Sequence, residues 1–130
     1  AYSGVSVDIP GYGYELKVPY DVCCCTAACL MTSKKKYLEV EGLNEDLKVA
    51  FNDVDFGLKL LKVGYRNVMM PSVKLYHYES KSRGMDKSAE QLKRYYAECD
   101  YMKEHWNAYI EHDPFYNDNY SKNSDYQLQE

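Results

Sequence analysis

The sequence predicts one mixed α/β domain, and three observations carry that prediction. Residues 21–31 are rich in Val, Cys, Thr and Leu, the composition of a buried strand. Val54, Leu58 and Leu61 recur at helical spacing, as do Leu92, Tyr95, Tyr96, Cys99, Met102, Trp106 and Tyr109. Residues 73–79 alternate with period 2, which places Val73, Leu75, His77 and Glu79 on one face and Lys74, Tyr76 and Tyr78 on the other. The length of 130 residues suits a single domain with a modest core.

Each element follows from local chemistry. Residues 1–20 hold Gly4, Pro10, Gly11, Gly13 and Pro19 and read as loop. The strand over 21–31 is weakest near Ala27. Ser33 caps a short helix over 34–41 that Gly42 stops, and 43–51 connects it to the next. Asn52 is a good N-cap with Asp55, three residues on, as its capping partner, and Gly64 ends that helix. Residues 66–70 form a short strand closed by Pro71, followed by the strand over 73–79. A polar loop over 80–87 contains Arg83-Gly84, and Ser88 with Gln91 makes a capping box for the long helix. Beyond Asp113-Pro114 the sequence has no period. The expected layout is a loop-rich 1–20, an α/β core over 21–86, a long helix over 87–112 and an irregular tail over 113–130. The order β, α, α, β, β, α supplies too few strands for a complete nucleotide-binding sheet. A chain opening Ala1-Tyr2-Ser3 reads as a piece of something longer.

Composition excludes several classes. The net charge is −4 with the two signs interspersed, so no basic stripe marks a nucleic-acid surface. The longest apolar stretch, 22–31, is too short to span a bilayer, and the opening Ala1-Tyr2-Ser3 shows no basic n-region or apolar h-region, so a signal peptide is not expected. No phosphate-binding glycine loop, dinucleotide fingerprint or nucleophile elbow is present. Fifteen tyrosines offer flat faces tipped with hydroxyls, suited to sugar or protein surfaces, although half-buried structural roles account for most. Cys23, Cys24, Cys25, Cys29 and Cys99 form no CxxC pair, and consecutive strand residues point to opposite faces. They read as small buried hydrophobes in a reducing compartment.

Four side chains are candidates for chemistry. Asp53 and Asp55 lie in the first turn of a helix, where either can simply favour the helix dipole. Asp55 has a capping job, whereas Asp53 is free to face a ligand. His77 is either a satisfied core residue or a metal ligand. Arg83 is either a solvated loop residue or a phosphate contact beside the flexible Gly84.

The runs Thr26-Ala27-Ala28-Cys29-Leu30-Met31, Gly42-Leu43-Asn44-Glu45 and Asn52-Asp53-Val54-Asp55-Phe56 together resemble family 2 glycosyltransferases. Lys62-Val63-Gly64-Tyr65-Arg66, Pro71, His77-Tyr78-Glu79-Ser80, Ser82-Arg83-Gly84, Trp106 and Asp113-Pro114-Phe115-Tyr116-Asn117 continue the likeness in order and spacing. It covers roughly residues 21–120 and looks most like the bacterial branch that builds surface polysaccharides. The resemblance implies the C-terminal, acceptor-side half of a GT-A fold, belonging to an inverting, metal-dependent enzyme that moves a sugar from a nucleotide-sugar donor to a saccharide hydroxyl. It implies Asp53 as general base, Thr26, Ala27, Asp55 and Arg83 as substrate contacts, and His77 as a ligand of Mg²⁺ or Mn²⁺. The main metal ligands are expected in a preceding half, so the fragment alone is expected to be inactive. Many relatives carry Glu where this chain has Asn52. The implied location is cytoplasmic, with peripheral attachment at the inner face of the membrane left open. A non-catalytic protein- or carbohydrate-binding module is the rival expectation, and an exposed sheet edge can pair with a second copy.

Overall fold

A computed structural model describes residues 6, 8–75 and 88–122. Those residues form a broken 3₁₀ segment (Tyr12–Lys17), strand β1 (Tyr20–Val22), a 3₁₀ turn (Ala27–Cys29), helices α1 (Lys34–Glu39) and α2 (Asn52–Lys62), strand β2 (Asn67–Met69) and the long helix α3 (Ala89–Glu111). β1 and β2 pair antiparallel with Tyr20 opposite Met69, Asp21 opposite Val68 and Val22 opposite Asn67. The mixed α/β class is as the sequence predicts, with a smaller sheet.

Helix α2 is the centre of the molecule because it has two apolar faces. Leu58 joins Leu47, Met102 and Trp106 in one buried cluster, flanked by Val54 and Leu61 at the predicted helical spacing. Phe56 and Leu60 turn to the other side and pack with Val40 and Tyr65. The ends of both short helices are closed by glycine in the left-handed region, which an L-residue enters only at a cost. After α1, Gly42 (φ 63°) returns its N–H to the Tyr37 carbonyl at 2.8 Å. After α2, Gly64 (φ 88°) lets Tyr65 N–H reach back to the Leu60 carbonyl at 2.9 Å. That bond also seats the Tyr65 ring on the Phe56–Leu60 cluster.

Two predicted caps form as read. Ser33 Oγ accepts from Lys36 N–H at 3.3 Å. Ser88 Oγ accepts from Gln91 N–H at 3.2 Å while the Gln91 side chain accepts from Ser88 N–H at 2.9 Å. Both boundaries are local, and local chemistry decides them.

Other expectations are corrected. The strand read over 21–31 ends at Val22, because the Cys23 carbonyl is taken by the Asn67 side chain at 2.7 Å rather than by a neighbouring strand. Thr26 then caps the 3₁₀ turn, accepting from Ala28 N–H at 3.4 Å. The strand over 66–70 is trimmed to Asn67–Met69. Residues 73–75 carry no regular structure, and the rest of the strand read over 73–79 lies outside the described residues. Asn52 is not a cap: α2 begins at Asn52 behind Phe51, which is itself left-handed (φ 63°) and makes no side-chain cap bond. In α3 the apolar stripe is buried only at Met102 and Trp106, with Leu92 and Tyr96 well exposed at its start.

Candidate functional site

The site is built where the first turn of α2 meets the chain leaving β1. Gly57 lets the two come together: a Cβ there would lie 2.6 Å from Cys24 Cβ and 2.8 Å from Cys24 Cα. Asn67 locks the approach, its amide donating to the Cys23 carbonyl at 2.7 Å and the Gly57 carbonyl at 2.8 Å. With those backbones fixed, Asp53 Oδ2 accepts from Ala27 N–H at 2.9 Å, and Oδ1 accepts from Val54 N–H at 3.0 Å. The structure therefore brings Thr26, Ala27 and Asp53 together, three of the residues singled out in the sequence. Asp53 keeps part of its surface open to solvent.

Asp55 goes the other way. It is fully buried, with Oδ1 accepting from the Trp106 indole N–H at 2.8 Å. Its Oδ2 lies 3.0 Å from Lys59 Nζ, an ionic contact whose angles are not those of a hydrogen bond. The Lys59 ammonium donates to the Gly42 carbonyl at 3.1 Å, which ties α2 to the end of α1. Asp55 is thus no capping partner of Asn52. Its carboxylate is held by an α3 side chain and an ammonium, as a buried charge must be.

Asn52 supports the same turn through the loop before it. Its Oδ1 accepts from Asn44 N–H at 3.0 Å, and its amide donates to the Asn44 carbonyl at 2.9 Å and the Leu47 carbonyl at 2.8 Å. Glu98 does the same from α3, accepting from Val49 N–H at 3.2 Å and Ala50 N–H at 2.8 Å, with Arg94 Nε 3.7 Å from Oε1.

Cys23 and Cys24 border this site. Among the described residues no group of three or more His, Cys, Asp or Glu could hold a metal ion. Burial pushes the Cys23 thiol up to about 12, helped by its hydrogen bond to Asp113 Oδ1 at 3.1 Å and that carboxylate's charge. Burial likewise pushes Cys24 up to about 11, with the Asp53 charge next in importance, and raises Cys25. Cys29 departs from the expectation of burial: it is exposed on the 3₁₀ turn. His77 and Arg83 lie outside the described residues.

Comparison with known proteins adds a chemical context. No family model and no solved structure matches the chain. An uncharacterized protein of Sinorhizobium fredii is 44% identical over 110 residues, 84% of this chain but 12% of that protein. The N-acetylglucosaminyl-diphospho-decaprenol L-rhamnosyltransferase of Mycobacterium tuberculosis is 31% identical over 61 residues, 47% of this chain and 20% of the enzyme. Part of this chain resembles a sugar transferase. The O-antigen biosynthesis protein RfbC of Myxococcus xanthus is 34% identical over a stretch of equal length, which is 5% of that protein. The chain therefore spans a fifth or less of the length of these relatives. Among the described residues no helix is long and apolar enough to cross a membrane.

Sequence reasoning missed Trp106 as the partner of Asp55, Asn67 as the bridge, and Glu98 as the loop clamp. Only Glu98 left a signal. It sits four residues before Met102 and eight before Trp106, inside the apolar stripe, where an acidic residue needs a partner.

Proposed function

We propose that this chain is the acceptor-side part of a glycosyltransferase, with Asp53 as the general base of an inverting transfer. The observation that carries the reading is the Asp53 carboxylate, partly open to solvent and aimed by Ala27 N–H at 2.9 Å. Similarity to a named rhamnosyltransferase over 47% of the chain supplies the reaction class. In this reaction an acceptor hydroxyl oxygen attacks the anomeric carbon of a nucleotide sugar. Its proton passes to Asp53 as the new C–O bond forms, and the bond to the nucleoside diphosphate breaks with its electron pair leaving on the phosphate. A carboxylate suits this because it accepts the proton only as the oxygen becomes acidic.

The other residues divide around that role. Thr26 and Ala27 form the floor beside Asp53 on which an acceptor would rest. Asp55, fully buried against Trp106 and Lys59, is assigned to holding the helix rather than touching substrate. Arg83 as a diphosphate contact and His77 as a ligand of Mg²⁺ or Mn²⁺ belong to the same proposal. Among the described residues no grouping of His, Cys, Asp or Glu fits such an ion.

The test is Asp53→Asn in the full-length protein, assayed for transfer from UDP-, GDP- and dTDP-sugars. Loss of a general base lowers turnover by about 10²–10⁴-fold, with KM for the donor little changed. Turnover near that of the unaltered protein would end the assignment.

A further inference from the structure

We infer that Trp106 is a positioning residue for Asp53, acting through Asp55. Its value to sugar transfer rests on the reading above, whereas the coupling itself does not. Residues two apart on an α-helix point about 200° apart around the axis, so Asp53 and Asp55 face opposite sides of α2. Fixing one side fixes the other. The Trp106 indole is itself fixed, 7% exposed and packed with Leu47, Leu58 and Met102. Its N–H reaches Asp55 Oδ1 at 2.8 Å across 51 residues of sequence.

This bond sets the rotation of the first turn of α2 relative to α3. On the far side of the turn, Asp53 must present Oδ2 to Ala27 N–H, and a hydrogen bond of 2.9 Å weakens steeply with small rotations. Lys59 does not replace the indole, because it lies on α2 itself and its tie is to the Gly42 carbonyl at the end of α1 rather than to α3. The indole is therefore a contact from α3 that holds this carboxylate inward and, by the helix geometry, Asp53 outward.

The experiment is residue-resolved amide hydrogen exchange by NMR on the 130-residue chain. Trp106→Phe keeps an aromatic ring in the core and removes the donor. It is expected to speed exchange of the Ala27 amide by about tenfold while leaving the Val49 and Ala50 amides, held by Glu98 on the same helix, unchanged. An unchanged Ala27 amide, or equal acceleration of all three, would overturn the inference.

Should Trp106→Phe fail to fold, reciprocity supplies a second measurement, because coupling between two sites acts equally in both directions. Asp53→Ala must then speed exchange of the Trp106 indole N–H, a single signal because the chain has one tryptophan. An indole N–H indifferent to Asp53→Ala would refute the coupling. Neither measurement needs a sugar donor. Failure of the glycosyltransferase reading would leave both results standing, and failure of the coupling would leave the Asp53→Asn assay informative.

Discussion

Gly57→Ala separates two opposed forces whose signs differ. In a helix interior alanine is favoured over glycine by about 1 kcal/mol, so propensity alone predicts a more stable protein. The structure predicts the reverse. A Cβ at position 57 would stand 2.6 Å from Cys24 Cβ, 2.8 Å from Cys24 Cα and 3.1 Å from the Cys23 carbonyl oxygen. Two of those three atoms are backbone and cannot rotate away. Helix α2 must therefore back off the chain leaving β1, and overpacking of this kind costs about 1–3 kcal/mol. The retreat also stretches the Asn67 bridge, whose bonds of 2.7 and 2.8 Å contribute about 1 kcal/mol each. With the propensity gain deducted, Gly57→Ala is expected to destabilise by about 2–4 kcal/mol. Urea unfolding followed by tryptophan fluorescence reads this directly, since Trp106 lies in the core beside α2. A midpoint that stays put or rises would refute the claim that close approach at Gly57 organises the site.

Three further outcomes follow from Glu98 and the thiols. Glu98→Ala deprives the Val49 and Ala50 amides of their acceptor and is expected to cost about 2–3 kcal/mol in urea unfolding, whereas a loss below about 0.5 kcal/mol would remove Glu98 from the account. Cys23 and Cys24 are held up to about 12 and 11, so at pH about 8 their thiolate fractions are on the order of 10⁻⁴ and 10⁻³. A thiol reagent should label the exposed Cys29 first, and equal labelling of all three would contradict the assigned environments. The same shifts fix an alkaline trend. Below the ordinary thiol value of 9.0 both folded and unfolded chains keep these protons. As pH rises through that value the unfolded thiols ionise first, so stability falls progressively towards pH 11–12. Unfolding midpoints that rise across that range would show the sign to be wrong.

What could be read from the sequence was whatever neighbours decide. The Ser33 and Ser88 caps, the glycine stops at Gly42 and Gly64, and the Val54–Leu58–Leu61 face are set within a few residues, and all are present. Where the reading failed, a distant group had intervened. Cys and Thr in residues 23–26 continue the strand-like run from Val22, but Asn67 takes the Cys23 carbonyl and α2 covers the segment. Asn52 and Asp55 look like a capping pair because that is their cheapest local use. Their actual partners are Asn44, Leu47, Trp106 and Lys59, of which Trp106 could not be inferred from spacing. Asp53 stood out in the sequence for having no structural duty, and its bond to Ala27 N–H shows that its aim is nonetheless fixed.

The bonds around Asp53 also carry a consequence for how the chain folds. Ala27 to Asp53 spans 26 residues, Val49 to Glu98 spans 49, Trp106 to Asp55 spans 51 and Cys23 to Asp113 spans 90. Closing such loops costs entropy before any contact repays it. On a ribosome, α2 can emerge and coil long before Trp106 exists. The carboxylate of Asp55 must meanwhile do without its indole partner, which reaches it only once the C-terminal half of α3 has docked.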